Sequence, residues 1–312
     1  MMEAIIRDIP GIILFAISSV GFWLLLKKHG VPLPFAPAIT CSMQIIVMYF
    51  AGLLNCLELA QIMMMATGIL FFFINCRRIR GEDIQIEFLL FILISSIIAY
   101  ALTLGKKISF SDDMSHWGLI VRVMLRENRL PNFMDTVISF QKYPPSTACY
   151  IYYVCKCIGS DAEGMFMFAQ TFLQLAYISS LFVFVKKNRV ISCALVFLFS
   201  ELIMCFAASI YYIMVDTVLG TMGAVTLVYF FEVRSRFEKK NAIILMLLLG
   251  AVTLVKNSGI FYAAVIAVYM IVDSIKNRGN IGLKICTACL PFVCFYLCAN
   301  CKCKLDTRTV EI

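Results

Sequence analysis

Residues 111–147, SDDMSHWGLIVRVMLRENRLPNFMDTVISFQKYPPST, form the one long polar interval in a chain that is otherwise a succession of apolar runs. The interval opens on paired carboxylates, passes a His-Trp pair and a stripe of arginines, and closes on Tyr-Pro-Pro. So much charge has no place inside a bilayer, so these residues stand outside it while the runs on either side cross. The apolar runs predict spans near 9–26, 34–54, 58–76, 86–104, 162–185, 190–209, 216–231, 241–255, 259–273 and 283–300. Each is close to the roughly 20 residues that a helix needs to cross. The fold expected is all-α and polytopic, about ten spans, with a large external loop containing interfacial helices.

Composition agrees. Hydrophobic residues make up 62% and charged residues 15%, against about 45–50% and about 25% in an ordinary soluble domain. Mean hydropathy is +0.90. The net charge of +8 therefore belongs to loops that set orientation, and nucleic acid is not an expected partner. The location implied is a cell membrane, crossed several times. Most of the 14 cysteines sit in apolar runs, where Cys acts as a small hydrophobe. Cys155-x-Cys157 and Cys301-x-Cys303 lack the matching His/Cys set of a zinc site, and no metal ligand is assigned. Lys27-Lys28 follow the first apolar run, Ile12 to Leu26, which is long enough to remain as a span rather than a cleaved leader.

Basic clusters alternate with the spans: Lys27-Lys28, Arg77-Arg78-Arg80, Lys186-Lys187-Arg189, Arg234/Arg236/Lys239/Lys240 and Lys276/Arg278. All fall on one side, the cytoplasmic one, if residues 147–158 do not cross. That segment has only about a dozen residues and is interrupted by Lys156, so it reads as a helix lying at the interface. The interval 105–161 and the gaps at 55–57, 210–215 and 256–258 then share the outer side. The outer loop carries Lys106, Lys107, Arg122, Arg126, Arg129 and Lys142 against Asp112, Asp113, Glu127 and Asp135, an excess that an anionic ligand or lipid headgroup would compensate. The expected organisation is N-terminal spans over 1–85, a membrane core over 86–273, and a last span with a polar tail over 274–312, where a C-terminal region is expected to be missing.

Ser111-Asp112-Asp113 precedes an amphipathic helix. Met114, Trp117, Ile120, Val121, Met124 and Leu125 recur at helical spacing, and Arg122, Arg126 and Arg129 occupy another face. The acids serve either as helix caps or as a general base at the membrane surface. The arginines serve as a headgroup-binding face or as a phosphate site. His116 is a candidate scaffold or base, and Trp117 an interfacial anchor or a sugar-stacking face. Tyr143-Pro144-Pro145 fixes the chain path, with Lys142 and Tyr143 placed to point into a site. Asp216 opens a span, as a cap or as part of a site. Lys256, inside an apolar stretch, either snorkels or holds a phosphate. Asp112, Asp113, Asp216 and Lys256 share the outer level.

The order Asp-Asp-x-x-His-Trp, Tyr-Pro-Pro, Val215-Asp-x-x-Leu-Gly220 and Leu254-x-Lys-x-Ser-Gly259 resembles the integral-membrane glycosyltransferases of the C-type fold (GT-C). Protein mannosyltransferases and lipid A aminoarabinose transferases belong there, and bacterial membrane glycosyltransferase-like proteins are the most similar. The resemblance covers about residues 86–273. It implies an inverting sugar transfer from a polyprenyl-phosphate donor to a glycan, lipid or protein acceptor. Asp112 would be the base, with Asp113 supporting; Asp216 would orient a substrate; Lys256 and an arginine of the stripe, Arg122 or Arg126, would hold the phosphate, with His116, Trp117, Lys142 and Tyr143 lining the substrate site. No cofactor is implied with certainty, and a divalent metal on Asp112, Asp113 and Asp216 is one option. The chain departs from the family in having three or four spans before the acidic loop and no large C-terminal domain. Two other functions fit the composition: an envelope polysaccharide polymerase or ligase using Arg and His, and a transporter of lipid-linked substrates without chemistry.

Overall fold

The computed structural model describes residues 2–78, 85–140, 143–185, 189–206, 210–277, 281–289 and 292. Every regular element among them is helical. The long helices are α1 (Met2–Lys28), α2 (Ala36–Leu53), α3 (Leu57–Asn75), α4 (Ile86–Thr103), α5 (Gly118–Glu127), α6 (Ser146–Ile158), α7 (Glu163–Ile178), α8 (Arg189–Phe206), α9 (Asp216–Val233), α10 (Lys239–Thr253) and α11 (Gly259–Asn277). Among the described residues, seven segments are long and apolar enough to cross a membrane: Ile5–Lys28, Leu33–Leu53, Leu57–Asn75, Ile86–Thr103, Glu163–Phe184, Asp216–Arg236 and Gly259–Asn277. Each matches a span expected from the sequence. The other expected spans stand outside this set. α8 and α10 form helices of 18 and 15 residues, and most of 283–300 lies outside the described residues.

The helices alternate in direction. One end of the bundle gathers the start of α1, the ends of α2, α4 and α10, the starts of α7, α9 and α11, and the polar interval. The other end gathers Lys27, Lys28, Arg77, Arg189, Arg234, Arg236, Lys239, Lys240 and Lys276. Arg80, Lys186, Lys187 and Arg278 lie outside the described residues. The segregation of charge that the positive-inside rule requires is thus built into the helix order.

Burial decides the layers. The span Glu163–Phe184 is 94% buried, whereas Leu57–Asn75 is 22% buried. α7 is therefore the central post, and α3 faces outward. The helix 146–158, expected at the interface, is also enclosed by its neighbours. Twelve of the 13 residues of α6 are buried, packed against α1, α2, α3, α5 and α7. At 1.5 Å per residue it is about 20 Å long, too short to cross. Both of its ends sit at the polar end: Ser146 N–H donates to Leu254 O at 3.1 Å, and Arg7 donates to Ser160 Oγ at 3.3 Å. The physical reason for enclosure is its tyrosines. Tyr150, Tyr152 and Tyr153 are fully buried, and a tyrosine ring is worth more inside the bundle than on a headgroup layer where its hydroxyl is served, as those of Tyr150 and Tyr152 are. Tyr152 donates to Asn128 Oδ1 at 2.8 Å, and Tyr150 receives the Cys41 thiol at 3.5 Å. Lys156 folds its ammonium over the Tyr152 ring, 5.6 Å from the centroid.

Glycines let the outer helices close in. A Cβ on Gly68 of α3 would lie 2.1 Å from Ser18 Oγ and 2.5 Å from Ser18 O of α1, and one on Gly21 would meet Gly68 O at 1.9 Å. Small residues at such crossings replace the hydrophobic drive that a lipid solvent does not supply. Gly68→Leu is expected to lower stability by about 2 kcal/mol or more, read as a fall in the thermal midpoint in detergent. Leu59→Ala, on the exposed face of the same helix, is expected to shift it little; equal shifts would show that this crossing is not tight.

Candidate functional site

The polar interval is anchored at its entry by Glu163, the first residue of α7. One oxygen of this carboxylate accepts the Ile108 N–H at 2.5 Å, and the other accepts from Arg122 of α5. The turn that follows, Asp113–Trp117, is a π-helix. Such turns carry an extra residue and recur at functional sites. Asp113, His116 and Trp117 point inward, while Asp112 and Met114 are exposed. Met114 was expected on the apolar face of an α-helix; the wider π turn moves Asp113 inside in its place. Trp117, Ile120, Val121 and Met124 are buried as the spacing predicts, and Leu125 is partly buried.

Asp113 is fully buried. Its Oδ2 accepts the Ile213 N–H at 2.8 Å, across 100 residues of sequence, while Oδ1 has no partner among the described residues. Burial pushes its carboxyl up to about 6; the Asp112 charge adds to the rise and the Ile213 bond opposes it. His116 is also fully buried. The Phe140 N–H donates to its Nδ1 at 3.3 Å, so the proton of the neutral ring resides on Nε2, which lacks a partner among the described residues. Burial lowers its pKa to about 4, against a counteracting pull from Asp112. The ring is packed among Trp117, Phe140 and Tyr143, with Tyr143 stacked on Phe140 at 5.3 Å and on Trp117 at 6.1 Å.

Ile213 lies in the connection between α8 and α9. Gln170 of α7 donates to the Ile213 and Met214 carbonyls at 3.0 and 2.9 Å. Three residues after Ile213, Asp216 begins α9 and accepts from Lys256 Nζ at 2.8 Å. Lys256 stands between α10 and α11, two residues after the Leu254 carbonyl that receives Ser146 N–H. Asp112, Asp113, His116, Trp117, Tyr143, Asp216 and Lys256 thus belong to one hydrogen-bonded end of the bundle. Glu163 and Gln170 are the members that the sequence did not single out. An acid heading a helix and a glutamine in an apolar run are both commonplace, and only their partners mark them.

The arginine stripe is engaged. Arg122 pairs with Glu163, Arg126 with Glu127 at 2.6 Å, and Arg129 with Asp135 through two bonds of 2.7 and 2.9 Å as well as with Glu127. Arg129 accordingly holds the Asp135 carboxyl below its ordinary range. Glu127 and Asp135 already stand in the charge balance of the outer loop, and Glu163 is the one carboxylate these pairs add to it. Lys142 lies outside the described residues. Among the described residues no group of three or more His, Cys, Asp and Glu is placed to hold a metal ion. Asp113 is turned to Ile213 and Asp216 to Lys256, so the three acids do not form a ligand set and no step is derived through a metal.

Comparison with protein-family models, with curated proteins and with solved structures returns no match.

Asp113 and His116 act on stability with opposite signs. An acid whose folded pKa is raised binds more protons in the folded state, so its contribution falls as pH climbs from about 4 to about 6. A histidine whose folded pKa is lowered binds fewer, so its contribution grows from about 4 to about 6.5. The two largely cancel in the native protein. In Asp113→Asn, thermal stability is expected to rise with pH across this window, and in His116→Gln to fall. Parallel melting curves for the two variants over pH 4 to 6.5 would show that neither group is buried as described.

Proposed function

We propose that this chain is a membrane glycosyltransferase that moves a sugar from a polyprenyl-phosphate donor to an acceptor hydroxyl of an envelope glycan, lipid or protein. The observation that supports it is the tie between loops: the buried Asp113 carboxylate holds Ile213 N–H, and Asp216, no more than about 10 Å of chain further on, holds Lys256. The exposed acid Asp112 stands beside Asp113 at one end of this tie, and Lys256, a cation set in an apolar stretch, stands at the other.

Asp112 takes the proton of the acceptor hydroxyl as its oxygen attacks the anomeric carbon. The bond from that carbon to the phosphate oxygen breaks, the electron pair leaves with the lipid phosphate, and configuration inverts. The leaving phosphate gains a negative charge, which Lys256 stabilises. The Lys256–Asp216 pair suits that exchange: Asp216 is 61% exposed, and such an exposed pair is worth less than about 1 kcal/mol, so a phosphate displaces the carboxylate at little cost. Arg122 and Arg126, already paired, contribute less. Asp113 and His116 are positioning residues that hold the turn beneath Asp112, and the half-buried Tyr143, stacked on the buried Trp117, offers the adjoining aromatic surface.

A polymerase or ligase relying on Arg and His finds those residues engaged. A transporter without chemistry has one observation in its favour. Thr40, Gln44, Thr171 and Gln174 are buried in α2 and α7 with polar atoms unpartnered among the described residues, and buried polar groups in membrane helices accompany substrate paths.

In membranes supplied with labelled polyprenyl-phosphate sugars, Asp112→Asn and Lys256→Gln are each expected to lose about 100-fold or more of transfer. Stability should stay within about 0.5 kcal/mol for the first and about 1 kcal/mol for the second. Transfer by Asp112→Asn at the native rate would sink the assignment of the base. Lipid-linked sugar crossing the membrane with no new glycosidic bond would favour the transporter.

A further inference from the structure

We propose that the groove between α7, α8 and α9 holds the hydrocarbon chain of a lipid phosphate, with its phosphate at Lys256. The groove has a volume of about 490 Å³ and is walled by Ile178, Leu181, Ile203, Thr217, Gly220 and Ala224 among others. It begins at Thr217, the neighbour of Asp216 in the Asp216–Lys256 pair, and reaches Val225, about 12 Å along α9 at 1.5 Å per residue. It exists because α8 leans on the 3-10 segment Ser179–Phe184 that continues α7 rather than closing onto α9.

Gly220 is the informative residue. Glycine inside a helix is unfavourable relative to alanine and is usually repaid by close approach. One turn round the same helix, a Cβ on Gly223 would strike the Tyr262 ring at 2.7 Å, whereas one on Gly220 meets nothing within 4 Å. Among the described residues no neighbouring atom requires Gly220 to be bare; its lack of a side chain keeps the groove open. The walls are mainly apolar, and Asp216, which binds Lys256, directly precedes Thr217 at one end of the groove. That distribution complements an amphiphile with one anionic end, since a free phosphate would make no use of the walls. The inference deepens the transferase reading by placing its lipid carrier, and it rests on that reading for the carrier's identity.

The test uses the purified full chain and a long polyprenyl phosphate carrying no sugar, with binding followed by native mass spectrometry. A short prenyl phosphate and inorganic phosphate serve as competitors. The long lipid is expected to bind at least about tenfold tighter than the short one, because each buried methylene adds to affinity, and inorganic phosphate to compete poorly. Gly220→Phe is expected to weaken the long lipid about tenfold or more, while Gly220→Ala and Val265→Phe, on the exposed face of α11, bind as the native chain does. Ala224→Phe, also at an exposed position, fills the groove independently should Gly220→Phe not fold. Native binding by a folded groove-filled variant, or equal competition by inorganic phosphate, would overturn the proposal. Sugar transfer that survives a folded groove-filled variant removes the groove and leaves the transferase. Groove-dependent lipid binding with no transfer from any donor removes the transferase and leaves the groove.

Discussion

A chain this apolar has to place one long polar interval without leaving buried backbone donors unpaired, and the architecture at that end of the bundle follows from how it does so. Buried N–H groups that lose water must find acceptors. Three side chains supply them over long sequence distances. Glu163 accepts Ile108 N–H, Asp113 accepts Ile213 N–H, and His116 accepts Phe140 N–H. Each acceptor belongs to a helical turn, and each donor to irregular chain. The helices therefore act as fixed posts to which the loops are tied, and the loops inherit the posts' positions.

The same ties set the electrostatics. A carboxylate fixed by a backbone donor in an enclosed place meets the cost of desolvation, which is why Asp113 titrates high while Asp112, one residue away, stays in contact with water. The neighbouring histidine answers the same burial by remaining neutral. The arginines of α5 find acids within the interval itself or at the head of α7. Lys256 differs, because its partner Asp216 is mostly exposed and offers only a weak hold.

The other end of the bundle is organised by a different device. Asp273 and Lys284, both buried, pair at 2.7 Å, with Arg234 3.6 Å from the same carboxylate. The Lys284 ammonium lies under 6 Å from the rings of Phe230 and Phe237. A buried pair of this kind adds little net stability, but removing one partner strands a charge. It fixes α9, α11 and the helical segment 281–289 relative to one another. The relative placement of helices at this end is set by a few enclosed charges, whereas the polar end relies on hydrogen bonds between helical turns and loops.

By itself the sequence determined the helical, membrane-spanning character of the chain, seven of its spans, the separation of basic clusters from the polar interval, and the buried face of Trp117, Ile120, Val121 and Met124. All of these are matters of composition and period, and both can be read along one dimension. It also pointed to Asp112, Asp113, Asp216 and Lys256 as polar residues at one level of the chain, of which the structure ties Asp113 to Ile213 and Asp216 to Lys256. Only the tertiary structure decided that Asp113 and not Asp112 is enclosed, because a π turn shifts the inward face by one residue without altering the pattern of residue types. Only the fold put the helix 146–158 inside the bundle, since enclosure depends on which helices surround it rather than on its own amphipathicity. And only the fold paired Arg122 with Glu163 across 41 residues, an interaction that no local spacing encodes because one lies within α5 and the other begins α7.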